Sequence, residues 1–416
     1  MNTHHGSAAA RYVSAVAVQP DGKIVTAGVA RPSGTQDGVA VTRFNSDGSL
    51  DNLFGDADPL NPGFRLGYVA TSITTSGYLF IRPIALQTDG KIVVGGTYSN
   101  SSNRLIGFVV RYNADGTLDG TFGSGGRATL DFGKRFTSPE YDLAIQADGK
   151  ILIGGGRDGF SVARLLPNGS LDTSFGSGGL VVADPSGTQG GTSVSFTMTI
   201  QRVPAVTGEE RIVVAGKSKT SSGDNYDWTL MRLRSNGATD TSFGSGGVVK
   251  TPFFGYWDEI HAVTIDYSNR IVAAGLVSTA NQDVCQAYVI DYAVVRYDEN
   301  GTLDLSFGGG KQLVDFYGGR DEPAFGVAVQ FDNKIVGLVN PSNIPVSDFG
   351  LVRFNVDGSR DSSFGPFGNG LVTTDFFGRN DTPYDIVVQP SDGKILAVGV
   401  AGVVTGSDLV VARYWP

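Results

Sequence analysis

Four aspartates recur at matching places near the end of a short apolar segment: Asp131, Asp184, Asp315 and Asp375, with Pro252 at the same place in a further copy. Like charges held close bind a cation or share protons. These four are therefore the candidate ligands for calcium or another divalent cation, the one cofactor class the sequence suggests. The competing reading is that each carboxylate caps its own loop. Seven arginines also recur (Arg43, Arg111, Arg164, Arg232, Arg296, Arg353, Arg413), six of them followed by an aspartate eight residues on (Asp51, Asp119, Asp172, Asp240, Asp304, Asp361). A charge on a strand flanked by other strands needs a partner. An Arg–Asp or Arg–backbone bridge that pins each turn is preferred to a ring of anion-binding arginines, because a site usually breaks a repeat's symmetry. The turns around those aspartates, such as NADGTLDGTFG at 113–123, are similar to a calcium loop, but they are too short and lack its distal bidentate glutamate. Asx-turn chemistry accounts for their Asn, Asp and Gly.

Catalytic groups are scarce. The one histidine outside the N-terminal segment is His261, beside Asp258 and Glu259, and a lone histidine is read as structural. No nucleophile elbow, zinc signature or phosphate loop is present. The single cysteine, Cys285, excludes an internal disulfide and a Cys-based zinc site. No catalytic residue is assigned. Connections rich in Ser, Asn, Thr and Gly carry Tyr226, Trp228 and Tyr288; Tyr226 and Trp228 are the candidate ligand-binding aromatics, suited to carbohydrate or protein.

The elements that must position these residues repeat. An apolar alternation, an Asp-Gly-Lys turn and a second apolar run appear as AVAVQPDGKIVTAG at 15–28, IALQTDGKIVVGG at 84–96, LAIQADGKILIGG at 143–155 and IVVQPSDGKILAVG at 386–399. Weaker copies stand at 199–216, 264–275 and 328–339. Each half reads as a strand, and Asp-Gly is a hairpin turn that tolerates positive φ. The arginine strand follows (VAVTRF, FVVRYN, SVARLL, TLMRLR, AVVRYD, GLVRFN, VVARYW), then the turn ending in Phe-Gly, then a fourth apolar strand such as RATLDF or LVTTDF. The recurring Phe54, Phe122, Phe175, Phe243, Phe307 and Phe364 are expected to anchor between blades.

Seven such copies at a period near 60 predict an all-β, seven-bladed β-propeller of four-stranded antiparallel blades in one domain spanning 1–416. The long turn suits a crossing between blades, which would put the strand after it innermost around a channel and the four aspartates at the channel mouth. Blades are then expected at approximately 11–55, 56–123, 124–176, 177–244, 245–308, 309–365 and 366–416. The stretch MNTHHGSAAARY is a poor strand, so blade 1 is expected to be three-stranded or to use residues near Ala8–Tyr12 as a ragged inner strand, with residues 1–10 a tag-like or ragged terminus and closure by side-chain packing of blade 7 on blade 1. The pattern resembles the delta-60 repeat of bacterial proteins, with its Q-x-D-G-K-I-V-V-A-G and R-Y-N-x-D-G-S-L-D-x-x-F-G halves, over nearly the whole chain. That resemblance implies the propeller fold and a bacterial source, and no common activity.

A net charge of −9 argues against nucleic-acid binding. No apolar stretch has the ~18 residues of a membrane helix, and no secretory signal follows Met1. The function expected is a non-catalytic, monomeric binding module, extracellular or at the cell surface, recognising a protein or glycan through one propeller face. The alternatives are a hydrolase- or lyase-type enzyme with a metal-assisted site at the channel mouth, and a structural repeat segment of a larger surface protein.

Overall fold

The computed structural model describes residues 10–31, 37–61, 63–73, 78–100, 102, 105–131, 141–156, 159–187, 193–202, 209–220, 225–280, 288–318, 321–343, 346–403 and 406–416. The segment His4-His5-Gly6-Ser7 and Cys285 lie outside them. No helix occurs among the described residues, and none is long and apolar enough to cross a membrane.

The strands form seven antiparallel blades, six of four strands and one of three, and the chain folds as a seven-bladed β-propeller. Blade 1 is complete: Ala10–Val18, Ile24–Ala30, Gly38–Phe44 and Tyr68–Ser72 pair in that order. This corrects the expectation of a three-stranded first blade. The sheet with three strands is blade 7, made of Asp381–Val388, Ile395–Val403 and Gly406–Tyr414. The poor-looking run from Ala10 to Tyr12 is part of a strand because its partner, Ile24–Ala30, is fully buried and supplies the ladder.

The strand order is also corrected. The strand after the Phe-Gly turn folds back on the arginine strand of its own repeat: Trp228 pairs Thr251, Thr229 pairs Lys250, Leu230 pairs Val249 and Met231 pairs Val248. It is the fourth strand of its blade, at the opposite edge from the first. The turn is long because it must bury Phe243 before returning, not because it crosses to a neighbour. The crossing is made instead by the loop after the fourth strand, where the recurring aspartates sit.

Contacts group the chain into two compact units, 1–153 with 163–172 and 384–415, and 154–162 with 173–383 and 416. In the first unit, Val13, Val16, Ile24 and Phe44 pack with Leu396, Val398 and Leu409. Blades 1 and 7 thus meet through side chains, helped by the Val16 N–H donating to Asp385 Oδ2 at 2.8 Å. In the second unit, Val213, Leu230 and Phe243 of blade 4 pack against Ile260, Ile271 and Val295 of blade 5, and blade 5 packs likewise on blade 6.

Two local devices recur. The hairpin turn needs a left-handed residue, and where glycine is missing asparagine replaces it: Asn269 and Asn333 have φ of 65° and 63°, the conformation Asn tolerates best after Gly. The first strand carries a bulge, with one residue skipped in the pairing at Ser14, Phe196, His261 and Phe325. Opposite the bulge the strands approach closely. A Cβ on Gly216 or Gly275 would lie 2.0 Å from the carbonyl oxygen of Val194 or Glu259, which explains the glycine that ends the second apolar run in those copies.

Candidate functional site

The recurring arginines are scaffold. Arg43, Arg111, Arg164, Arg232, Arg296 and Arg353 each place Nε 2.7–2.8 Å from the aspartate eight residues on. The same guanidinium lies over the following Phe in at least five of these copies, 4.4–4.6 Å from the ring centroid. Its Nη1 donates to a carbonyl in the next repeat's turn, as from Arg111 to Pro167 at 2.5 Å and from Arg296 to Val356 at 2.7 Å. Burial pushes the Asp240 carboxyl up, but the Ser242 hydroxyl, Arg232 and Arg211 outweigh it and hold its pKa at about 2. In the turns, Asp47, Asp115, Asn168 and Asp357 each spend one oxygen on the N–H and hydroxyl of the residue two further on.

A second set of carboxylates is not neutralised this way. Five residues before the arginine stand Asp227 and Asp291, on the third strands of blades 4 and 5, and Asp348, immediately before the third strand of blade 6. Their neighbours come from the crossing loop and from the start of the next first strand or just before it: Asp258 beside Asp227, Asp315 and Glu322 beside Asp291, Asp375 and Asp381 beside Asp348. Each of these notches is closed by one device, the N–H after the fourth strand donating to the incoming carboxylate: Phe253 to Asp258, Phe316 to Glu322 Oε1 at 3.1 Å, Phe376 to Asp381 Oδ2 at 2.9 Å. Burial pushes Asp258 up to about 7, Asp291 to about 6 and Glu322 to about 8; neighbouring carboxylates add to it in each case. The blade 4 notch has cations of its own, because Lys250 and Lys311 act on Asp227. The preceding notch has hydroxyls: Asp184 accepts from Ser193 Oγ at 2.6 Å and from the Ser186 N–H at 2.9 Å, and these outweigh burial to lower its pKa.

Beside the blade 4 notch lies a third cluster. Lys217 donates to Glu259 Oε2 at 2.5 Å, and His261 Nε2 lies 2.7 Å from Glu259 Oε1. His261 is the bulged residue, turned so that its Nδ1 is 3.1 Å from the Ala324 carbonyl. Both ring nitrogens face acceptors within the protein. Burial pushes Glu259 up, but His261 and Lys217 outweigh it and hold it at about 2. The Lys217 ammonium stands 4.2 Å from the Trp257 ring centroid, 5.1 Å from Tyr226 and 5.5 Å from Phe196. Trp257 is 50% exposed and Phe254, three residues before it, is 53% exposed. The Trp257 backbone is tied by a bridge to Tyr226 and by donation from the Ser278 N–H and hydroxyl to its carbonyl.

The residues singled out from sequence are therefore dispersed. Asp131, Asp184, Asp315 and Asp375 each follow a fourth strand, at the blade edge away from the first strand. Asp315 and Asp375 join carboxylate notches, Asp184 is held by serines, and Asp131 is exposed. Trp228 is fully buried, donates Nε1–H to the Leu276 carbonyl at 3.0 Å and packs edge-on against Phe253, so it is a core residue. Tyr226 is half-buried beside Lys217. Lys217, Trp257 and the partner carboxylates Asp348 and Asp381 are absent from the sequence reading. Aligning the copies on the arginine brings out Asp227, Asp291 and Asp348 as a column.

A family model described as "Domain of unknown function (DUF5122) beta-propeller" matches residues 19–54, 87–122, 146–175, 211–243, 268–307, 330–364 and 391–416. No curated protein matches the sequence. Among solved structures, the chain is similar to a PL25 ulvan lyase bound to GlcA(1-4)Rha3S (11% identity, TM-score 0.50, 98% of this chain and 94% of that one). It is similar to a second PL25 ulvan lyase structure (10%, 0.51, 98% and 95%). A protein of unknown function from Dyadobacter fermentans also aligns (11%, 0.44, 81% and 93%). At these identities the likeness is one of fold.

Proposed function

This chain belongs to the DUF5122 β-propeller family, whose description assigns no activity, and we propose from its geometry that it is a non-catalytic module that binds carbohydrate through the aromatic platform of Trp257, Tyr226 and Phe254. The observation that carries the reading is Trp257. A half-exposed indole is held from behind by a paired ammonium and along its backbone by Tyr226 and Ser278. A pre-ordered aromatic face loses little conformational entropy on binding, and it offers a flat apolar surface to the C–H face of a sugar ring, with polar side chains beside it for the hydroxyls. Further half-exposed rings stand in the equivalent loops, Tyr317 and the 43% exposed Phe377, so successive blades could engage successive residues of a chain polymer.

The enzyme reading draws on Glu259 and His261, since a carboxylate–imidazole pair can move protons. It is disfavoured because Ala324 and Glu259 already occupy both ring nitrogens. A protein ligand is the second occupant this face would accept. On the proposed reading the protein works as a monomer, outside the cell or at its surface.

A glycan array followed by calorimetry tests this. Binding of a soluble polysaccharide, weakened at least about tenfold by Trp257→Ala (a loss near 1.4 kcal/mol), with no cleavage of the polymer, is the expected result. Cleavage of a bound polysaccharide, or binding unchanged in Trp257→Ala, overturns it.

A further inference from the structure

We propose that Asp348, Asp375 and Asp381 form a divalent-cation site of the calcium class. It stands apart from the carbohydrate reading and survives that reading's failure. One carboxylate oxygen from each residue lies within 4.8 Å of the others. Two oxygens bound to one calcium at about 2.4 Å can be at most about 4.8 Å apart, so the three can share an ion. The donors are all oxygen, which suits a hard cation.

The independent sign is Asp348. It is 7% exposed, and its Oδ1 is buried with no hydrogen-bond partner. No Lys, Arg or His among the described residues pairs with it. An acceptor left bare in the interior is costly, and what lies next to this one is more negative charge. The register-equivalent notch in blade 4 shows how the fold answers that cost elsewhere. There the crossing-loop carboxylate is replaced by Pro252, and Lys250 and Lys311 act on Asp227. In blade 6 the third carboxylate, Asp375, is present, and Thr373 stands where blade 4 has Lys250, judged by its pairing with Gly350 as Lys250 pairs with Thr229. One notch carries its positive charge covalently, and the other gathers three oxygens where a charge can enter.

The backbone around the triad is already set. Asn340 Nδ2 donates to the carbonyls of Asp348 at 2.9 Å and Asp381 at 2.7 Å, and the Gly378 N–H donates to Asp375 Oδ1 at 2.6 Å. Water would complete the shell of six to eight oxygens that calcium takes.

The test is titration of the full chain, stripped with a chelator, with calcium chloride and separately with magnesium chloride, read by calorimetry and by Tm. Calcium is expected to bind with a Kd between about 10 μM and 1 mM and to raise Tm, and magnesium to bind more weakly. Asp348→Asn and Asp375→Asn should each weaken calcium at least about tenfold and remove the Tm shift, while Asp131→Asn leaves both unchanged. Asp375 is exposed, so its variant keeps the test alive should Asp348→Asn fail to fold. The absence of both binding heat and a Tm shift at about 10 mM calcium overturns the proposal. So does calcium binding that both Asp348→Asn and Asp375→Asn retain.

Discussion

The arginine hub and the carboxylate notch use the same residue types to opposite ends. In the hub every charge has its counter-charge within the repeat: Arg232 sits between Asp240 and the ring of Phe243, and Asp240 is shared with Arg211. In the notches of blades 5 and 6 the carboxylates outnumber any cation, and burial raises the pKa of Asp291, Glu322 and Asp348 with no cation to outweigh it. Buried carboxylates are stabilising when partnered and a liability when not. The contrast separates structural charge from charge kept for something outside the chain.

The sharpest way to break the comparison is at a hub. Asp240→Ala leaves Arg232 buried without its partner and should cost about 3–5 kcal/mol in urea unfolding. Because the folded pKa of Asp240 lies below its unfolded value, that stabilisation is present above about pH 4 and fades as pH falls toward 2. A cost below about 0.5 kcal/mol, the range of an ordinary surface change, would mean the hub is incidental.

At a notch the sign reverses. Glu322 has a folded pKa of about 8, above its unfolded value. Its contribution is therefore full below about pH 4 and is lost as pH rises through 8. Glu322→Gln should flatten that loss, gaining on the order of 2 kcal/mol over the native chain at pH 8 to 9 and nothing at pH 4. Parallel pH profiles for the two chains would show Glu322 to be charged throughout.

A smaller effect distinguishes the notch that carries its own cation. Lys311→Met leaves Asp227 and Asp258 facing each other and should cost about 1 kcal/mol at pH 8, less at pH 5 where protons replace the lysine. Equal costs at both pH values would show that Lys311 acts through the contact of its ammonium with the Phe253 ring, 4.5 Å from the centroid, and not on the carboxylates.

Much of this was legible in the repeat. The blade count, the hairpin turns and the Arg–Asp pairing follow from periodicity and from what a buried charge requires. The strand order did not, because apolar alternation says that LVTTDF is a strand but not against which edge it lies. The same ordering put Asp315 and Asp375 at the end of a first strand, whereas each follows a fourth strand. The Asp348 triad was hidden for another reason: its members come from three elements, and only Asp375 belongs to the column of aspartates that recurs at matching places in the repeats. Trp228 and Trp257 show the limit of reading aromatics. One lies on an arginine strand between two blades and is core; the other lies on a crossing loop and is half in water.

The bulge in the first strand has a consequence for how the repeats diverge. Paired positions around it must satisfy a ladder and a glycine that tolerates no Cβ, yet the skipped residue answers to neither. That residue is Ser14, Phe196, His261 or Phe325 in blades 1, 4, 5 and 6, a hydroxyl, two rings and an imidazole in one register. Blades 4, 5 and 6 thus each hold one partly exposed address at which chemistry can be rewritten without renegotiating the architecture. A library randomised at these positions alone should keep its fold while sampling new surfaces.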